Sequence, residues 1–120
     1  MEKPTVNKII VQKLKKSEKD VFFRAERYYT ILSAINDIGL TKREVQLVAF
    51  TSVRGNISYS NIREEFCNKY KSSPPTINNI ISKLKRVGVL VKDGSKIKVN
   101  PMIVLDFMND IILEVKITNG

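Results

Sequence analysis

The sequence predicts an α+β domain in which helices predominate. Apolar residues recur at spacings of three and four through residues 24–87, the period of an amphipathic helix. An alternating run after Asp93-Gly94 then predicts a β-hairpin. A chain of 120 residues can bury one hydrophobic core, so we expect a single domain over residues 1–120. Its predicted regions are a basic N-terminal strand or arm (1–23), a helical core (24–99) and a C-terminal helix or strand (100–120).

The composition excludes most catalytic and metal chemistry. The chain has no histidine and one cysteine, Cys67, so it cannot form a Ser-His-Asp triad, a Cys-His dyad, an internal disulfide or a Cys/His zinc site. Its five glycines are too dispersed for the phosphate-binding turns of nucleotide-binding proteins. We therefore expect a binding protein and not an enzyme, with no cofactor and no metal ion.

Positive charge is concentrated in two segments. The net charge is +9; residues 1–24 carry +4 and residues 71–100 carry +6, whereas residues 101–120 carry −2. Such clustering, with a pI near 9.8, indicates an anionic partner and above all a nucleic acid. No apolar run approaches the roughly 20 residues that span a bilayer. We expect no membrane partner and a cytoplasmic location, or a virion location for an assembly subunit.

The N-terminal part of the chain predicts a strand and then a helix. Within residues 4–20, Ile9, Ile10, Val11 and Leu14 lie close together among the lysines. Their grouping predicts a short strand that continues into a charged arm. The apolar spacing becomes three and four from Ala25 onward and stops before Gly39, a residue type that ends helices in the left-handed conformation. A helix is expected over residues 24–38.

The second helix is indicated by its start and stop signals. Thr41 and Glu44 match the Thr-x-x-Glu capping box, so the helix is expected to begin at Lys42. Gly55 should end it.

A short extended segment and a third helix follow. Ile57 and Tyr59 alternate with polar residues, which predicts a very short strand. Ser60 then stands as the N-cap of a helix over residues 61–70, whose apolar positions are four residues apart.

The clearest helix signal lies at residues 74–87. Ser73 and Pro74 are favoured types for the N-cap and the first helical position, and Gly88 closes the segment. Five apolar residues form one continuous stripe along it: Ile77, Ile80, Ile81, Leu84 and Val87. This stripe predicts the face that packs on the core. Residues 89–99 are expected to follow as the hairpin.

Two interpretations are open for the C-terminal segment. Asn100 and Pro101 have the residue types of an N-cap and first helical position, which predicts a last helix. Three carboxylates would share its water-facing side: Asp106, Asp110 and Glu114. The alternation over residues 111–117 predicts a strand instead. Such a strand could pair with the N-terminal strand through residues 114–118, or a neighbouring subunit could hold the N-terminal strand by strand addition.

Residues 41–99 contain three stretches in a characteristic order. They are S-Y-S-N-I-R-E-E-F at 58–66, S-S-P-P-T-I-N-N-I-I-S-K-L-K-R-V-G-V-L-V at 72–91, and D-G at 93–94. This succession resembles the winged helix-turn-helix family. The G-V-L-V ending, a short wing and Asn100-Pro101 are also similar to the winged helices of some plasmid and phage replication initiators. The resemblance implies that helix 74–87 enters the DNA major groove and that the wing 89–99 lies along the backbone or minor groove.

Away from its apolar stripe, helix 74–87 presents a face without acidic residues. Asparagine can pair bidentately with adenine, serine and threonine contact bases or phosphates, and lysine and arginine neutralise phosphates. The expected function is non-enzymatic binding of duplex DNA, as a transcription regulator or replication accessory. The predicted DNA-binding residues are Ser72, Ser73, Thr76, Asn78, Asn79, Ser82, Lys83, Lys85, Arg86, Lys92, Lys96 and Lys98.

A second function stays open at the level of sequence. Winged helices also serve as protein-docking modules, so the chain could be a small structural subunit of a larger assembly such as a phage particle. In both cases we expect a homo-oligomer or a larger assembly, formed through residues 1–20 and 102–118.

Overall fold

The computed structural model describes residues 6–14 and 20–118. Its elements, in chain order, are β1 (Val6–Leu14), α1 (Val21–Ile35), α2 (Lys42–Arg54), α3 (Ser60–Tyr70), α4 (Pro74–Arg86), β2 (Leu90–Asp93), β3 (Lys96–Val99) and β4 (Ile111–Thr118). The prediction of an α+β, mainly helical protein is confirmed. Part of the predicted basic arm, residues 1–5 and 15–19, lies outside the described residues.

The start and end of α2 are confirmed. Thr41 Oγ1 accepts a hydrogen bond from the Glu44 backbone N–H at 3.2 Å, and Glu44 Oε1 accepts one from the Thr41 N–H at 2.8 Å. The capping box therefore satisfies two backbone donors that the helix leaves unpaired. Gly55 follows the last turn with φ +94°, a conformation that disfavours residues with a Cβ atom.

The predicted bounds of α1, residues 24–38, are each three residues too late. Asp20 caps the helix earlier, because its side chain accepts a hydrogen bond from the Phe23 N–H at 2.8 Å. At the other end, the Asn36 side chain donates to the Leu32 carbonyl at 2.9 Å. Asp37 then takes the left-handed conformation, with φ +54°, before the chain reaches Gly39. Polar side chains at both ends thus override the apolar periodicity.

The short strand predicted at Ile57 and Tyr59 does not form. The segment makes one backbone hydrogen bond to a strand: the Ile57 N–H donates to the Ile97 carbonyl of β3 at 2.9 Å. The prediction of Ser60 as the N-cap of α3 is wrong, because Ser60 is the first residue of the helix. The N-cap is Tyr59, whose side chain makes no capping hydrogen bond.

The core lies between the helices and the β2–β3 hairpin. The apolar stripe of α4 is buried as predicted at Ile77, Ile80, Ile81 and Leu84, whereas Val87 is half-exposed. Four aromatic rings from α1, α2 and α3 pack in stacked, tilted or edge-to-face pairs at centroid distances of 4.8–6.3 Å: Phe22, Phe50, Phe66 and Tyr70. The burial of the α4 stripe leaves the opposite face of α4 to solvent.

The C-terminal helix predicted from Pro101 is wrong beyond its first turn. Asn100 Oδ1 accepts from the Met102 N–H at 3.1 Å, but this cap starts only a 3₁₀ turn over Pro101–Ile103. Phe107 then packs on Tyr28 and Tyr29, and the chain continues as β4. The alternative prediction of a strand is confirmed.

The carboxylates expected on that helix therefore share no helical face. Asp106 instead accepts from the Met108 N–H at 3.0 Å in a turn. Within residues 6–14 and 20–118, no group of three or more acidic or cysteine side chains could hold a metal ion.

Strands β1 and β4 form a two-stranded antiparallel ribbon. Its register runs from Leu14 opposite Ile111 to Val6 opposite Thr118, with an irregularity between Val6 and Lys8. Of the two alternatives for the N-terminal strand, pairing with the C-terminal segment inside the fold is the one observed. The hairpin β2–β3 forms a second antiparallel pair. None of the described helices is long and apolar enough to cross a membrane.

Candidate nucleic-acid interface

The exposed face of α4 is set by its buried stripe. Asn79, Ser82 and Arg86 lie opposite Ile77, Ile81 and Leu84, as the helical period requires. All three are exposed, and so is Lys85 beside them. No acidic residue occurs anywhere on α4. The prediction that this face is open to solvent is confirmed.

One flank of α4 is held by Arg63 of α3. Its Nη1 donates to Asn78 Oδ1 and its Nε donates to the Ile57 carbonyl, each at 2.8 Å. Arg63 therefore ties α4 to the segment before α3. The Asn78 oxygen is already used inside the molecule, so Asn78 is a poorer candidate for reading a base than Asn79.

The other flank carries an ion pair between Lys83 and Glu44 of α2. Lys83 Nζ lies 2.8 Å from Glu44 Oε2 and 3.0 Å from Oε1. Glu44 is 5% exposed, so its charge is largely shielded from water. Burial alone would raise the pKa of Glu44, but hydrogen bonds from Lys83 and Thr41 outweigh it and hold this pKa below its usual value. Lys83 thus orients α4 against α2, and its ammonium is less available to a phosphate than sequence reasoning supposed.

Because of this ion pair, we expect part of the free energy of unfolding to be lost at acidic pH. Because the pKa of Glu44 is lower in the folded state, the pair stabilises the fold near neutral pH and loses this effect as the pH falls through the folded-state pKa. Glu44→Gln should lower the free energy of unfolding by about 1–3 kcal/mol at about pH 7. The difference between the two proteins should shrink toward about pH 3 in urea titrations. A difference independent of pH would show that the charge of Glu44 contributes nothing.

The hairpin follows α4 directly. The Val89 N–H donates to the Leu84 carbonyl at 2.9 Å, so β2 starts against the last turn of the helix. Lys92 and Lys96 are exposed. Lys98 is half-buried and pairs with Asp93 at 2.7 Å, and its hydrogen bond lowers the pKa of that carboxyl. Lys98 therefore neutralises the one acidic group of the hairpin.

The predicted residues before and at the start of α4 are partly engaged with one another. Ser73 Oγ lies 2.9 Å from Thr76 Oγ1, so the two hydroxyls share a hydrogen bond. Ser72 is half-buried and its hydroxyl oxygen is shielded from solvent. These side chains shape the turn into α4 and offer little to a ligand.

Of the twelve predicted residues, six have exposed side chains that make no hydrogen bond or ion pair within the part of the chain that the structure describes. We call them the basic surface: Asn79, Ser82, Lys85, Arg86, Lys92 and Lys96. The sequence marks Glu44 only as a capping residue and does not mark Arg63, and the contacts by which these two residues position α4 were not predicted. Both act across helices, and no spacing along the chain marks such partners.

Comparisons with protein families, with curated proteins and with solved structures find no match to this chain.

Proposed function

We propose that residues 41–99 act as a winged helix-turn-helix unit that binds duplex DNA without catalysis, in transcription regulation or as a replication accessory. Helix α4 would enter the major groove, and the β2–β3 hairpin would contact the backbone. The proposal rests above all on the exposed side of α4, where Lys85 and Arg86 accompany Asn79 and no carboxylate is present.

The turn between α3 and α4 supports this proposal. Only residues 71–73 connect the two helices, and Lys71 takes the left-handed conformation with φ +52°. A turn of three or four residues is usual between the two helices of a helix-turn-helix motif. The Ile57-to-Ile97 hydrogen bond also joins the segment before α3 to β3, as a short third strand would in a winged helix.

The chemistry of the basic surface suits a duplex. An asparagine can donate to and accept from adenine at once, so Asn79 is the candidate base reader. Lysine and arginine contacts to phosphates supply affinity irrespective of sequence. Lys85, Arg86, Lys92 and Lys96 are the four candidates for that role.

Salt dependence tests the proposal directly. At about −0.9 per neutralised phosphate, four phosphate contacts predict a slope of about −3.6 for log K against log salt concentration, and hence a loss of about 150-fold in affinity between about 50 and 200 mM salt. Fluorescence anisotropy of a labelled duplex measures this slope. No binding to any duplex, or affinity that is insensitive to salt, would contradict the proposal.

The exposed β1–β4 ribbon favours a second candidate function, the structural subunit of a larger assembly. Several aliphatic side chains of the ribbon are 43% to 63% exposed, among them Ile112 and Val115. Exposed apolar surface of this kind marks interaction sites. If duplex binding is absent and the purified chain forms large particles, the packing role is the better account.

A further inference from the structure

The β1–β4 ribbon has two long unpaired edges within the described residues. Among residues 6–14 and 20–118 the ribbon contains two strands only, and strands β2 and β3 belong to a separate sheet. A two-stranded ribbon is marginally stable in water and is normally completed by further strands or a covering element. Six of its aliphatic side chains are about half-exposed or more: Ile9, Ile10, Val11, Ile112, Val115 and Ile117. The ribbon is therefore an incomplete sheet.

The two edges of the ribbon differ. Both strands carry lysine, Lys8 and Lys13 on β1 and Lys116 on β4, but only β1 has a register irregularity, between Val6 and Lys8. A bulge is one of the devices that protect a strand edge against pairing. Strand β4 continues in regular register from Ile111 to Lys116. The edge of β4 is the one left open to another strand.

The sequence of β4 is complementary to itself. When two copies run antiparallel with Val115 opposite Val115, Glu114 of each copy faces Lys116 of the other. Leu113 then faces Ile117 on the opposite side of the sheet. Within one chain the same two charges lie only 3.8 Å apart along the strand, at exposed side chains. Such a surface pair is weak and can exchange for the two cross-strand pairs of a dimer.

We propose that the ribbon binds a second copy of this chain, with β4 pairing antiparallel to β4 about Val115. The product is a four-stranded sheet in the order β1-β4-β4-β1, with a two-fold axis at its centre. Leu113, Val115 and Ile117 share one face of β4, and the dimer joins the two copies of this apolar row side by side at the centre of the sheet. The proposal is independent of DNA binding, because it uses no residue of the basic surface.

The experiment is sedimentation equilibrium of the full chain and of two single variants, Glu114→Lys and Lys116→Glu. Each variant replaces two attractive cross-strand pairs by two repulsive ones, so the dimer dissociation constant should rise about tenfold or more. An equimolar mixture of the two variants should dimerise about as well as the native chain, because lysines of one then face glutamates of the other. Simple misfolding of either variant would not be rescued by mixing.

Lys8→Glu supplies the matched control, since it reverses one charge on β1, away from the proposed edge. We expect its dissociation constant to stay within about twofold of the native value. A native chain that stays monomeric at every concentration would overturn the proposal. So would single variants that dimerise like the native chain, or a mixture that stays as weak as its components. DNA binding by a monomeric chain would overturn this inference and leave the proposed function intact.

Discussion

Ile81→Ala is expected to lower the free energy of unfolding by about 2–5 kcal/mol. Ile81 is 5% exposed and belongs to the stripe by which α4 packs on the core. The loss combines the removed apolar contacts with the cavity that remains. It is a large part of the roughly 5–15 kcal/mol that stabilises a domain of ordinary size. Urea titration followed by circular dichroism measures it.

Ser82→Ala is the matched control for this change. Ser82 is the next residue on α4 and is exposed, so its replacement should alter the free energy of unfolding by less than about 0.5 kcal/mol. If Ile81→Ala unfolded at the same urea concentration as the native chain, the buried face of α4 would be misassigned, and its solvent face with it.

Lys85→Glu combined with Arg86→Glu should have the largest effect on DNA binding. The pair supplies two of the four candidate phosphate contacts, and each contact contributes about tenfold in affinity near 0.1 M salt. We expect a loss of about 50-fold or more on every duplex, with the salt slope reduced by about 2. Anisotropy titrations at several salt concentrations measure both quantities.

Arg27→Glu combined with Lys42→Glu changes the net charge by the same amount at exposed positions outside the basic surface. This control variant should retain most of the native affinity for DNA, because it leaves the proposed contacts between α4 and the phosphates unchanged. Equal losses in the two double variants would mean that binding depends on net charge alone and not on the solvent face of α4.

Asn79→Ala should show a different pattern from the charge reversals. If Asn79 pairs with an adenine, its loss costs about 1–3 kcal/mol on a preferred site and almost nothing on random duplex. Competition between a selected site and random duplex measures the discrimination. Discrimination that persists in Asn79→Ala would leave α4 as a backbone-binding element without a role for this residue in sequence readout.

Local signals predicted both ends of α2 and the start of α4, whereas the local caps of α1 at Asp20 and Asn36 were missed because the apolar spacing alone was used there. The capping box of Thr41 and Glu44 and the left-handed Gly55 fix α2 from within its own sequence, and the same holds for the start of α4 at Pro74. The prediction of a C-terminal helix was wrong because the backbone groups of β4 form their hydrogen bonds with β1, a strand at the other end of the chain. Apolar spacing alone cannot rank that pairing against a helix.

The candidate site was predictable in outline and not in its internal contacts. The buried stripe of α4 determines its solvent face, so the exposure of Asn79 followed from helical periodicity. The ion pair of Lys83 with Glu44 joins residues 39 positions apart, and Arg63 reaches Asn78 across two helices. Those contacts depend on how the helices pack, which the spacing of residues does not encode.

Chemical-shift mapping of the isotope-labelled chain with a short duplex tests the central claim most directly. If α4 and the hairpin bind the duplex, the largest amide shifts fall on α4 and on the β2–β3 hairpin, with Asn79, Lys85 and Arg86 among them, and these shifts diminish as salt is raised. Shifts confined to the β1–β4 ribbon or to α1, or no shifts at saturating duplex, would contradict it.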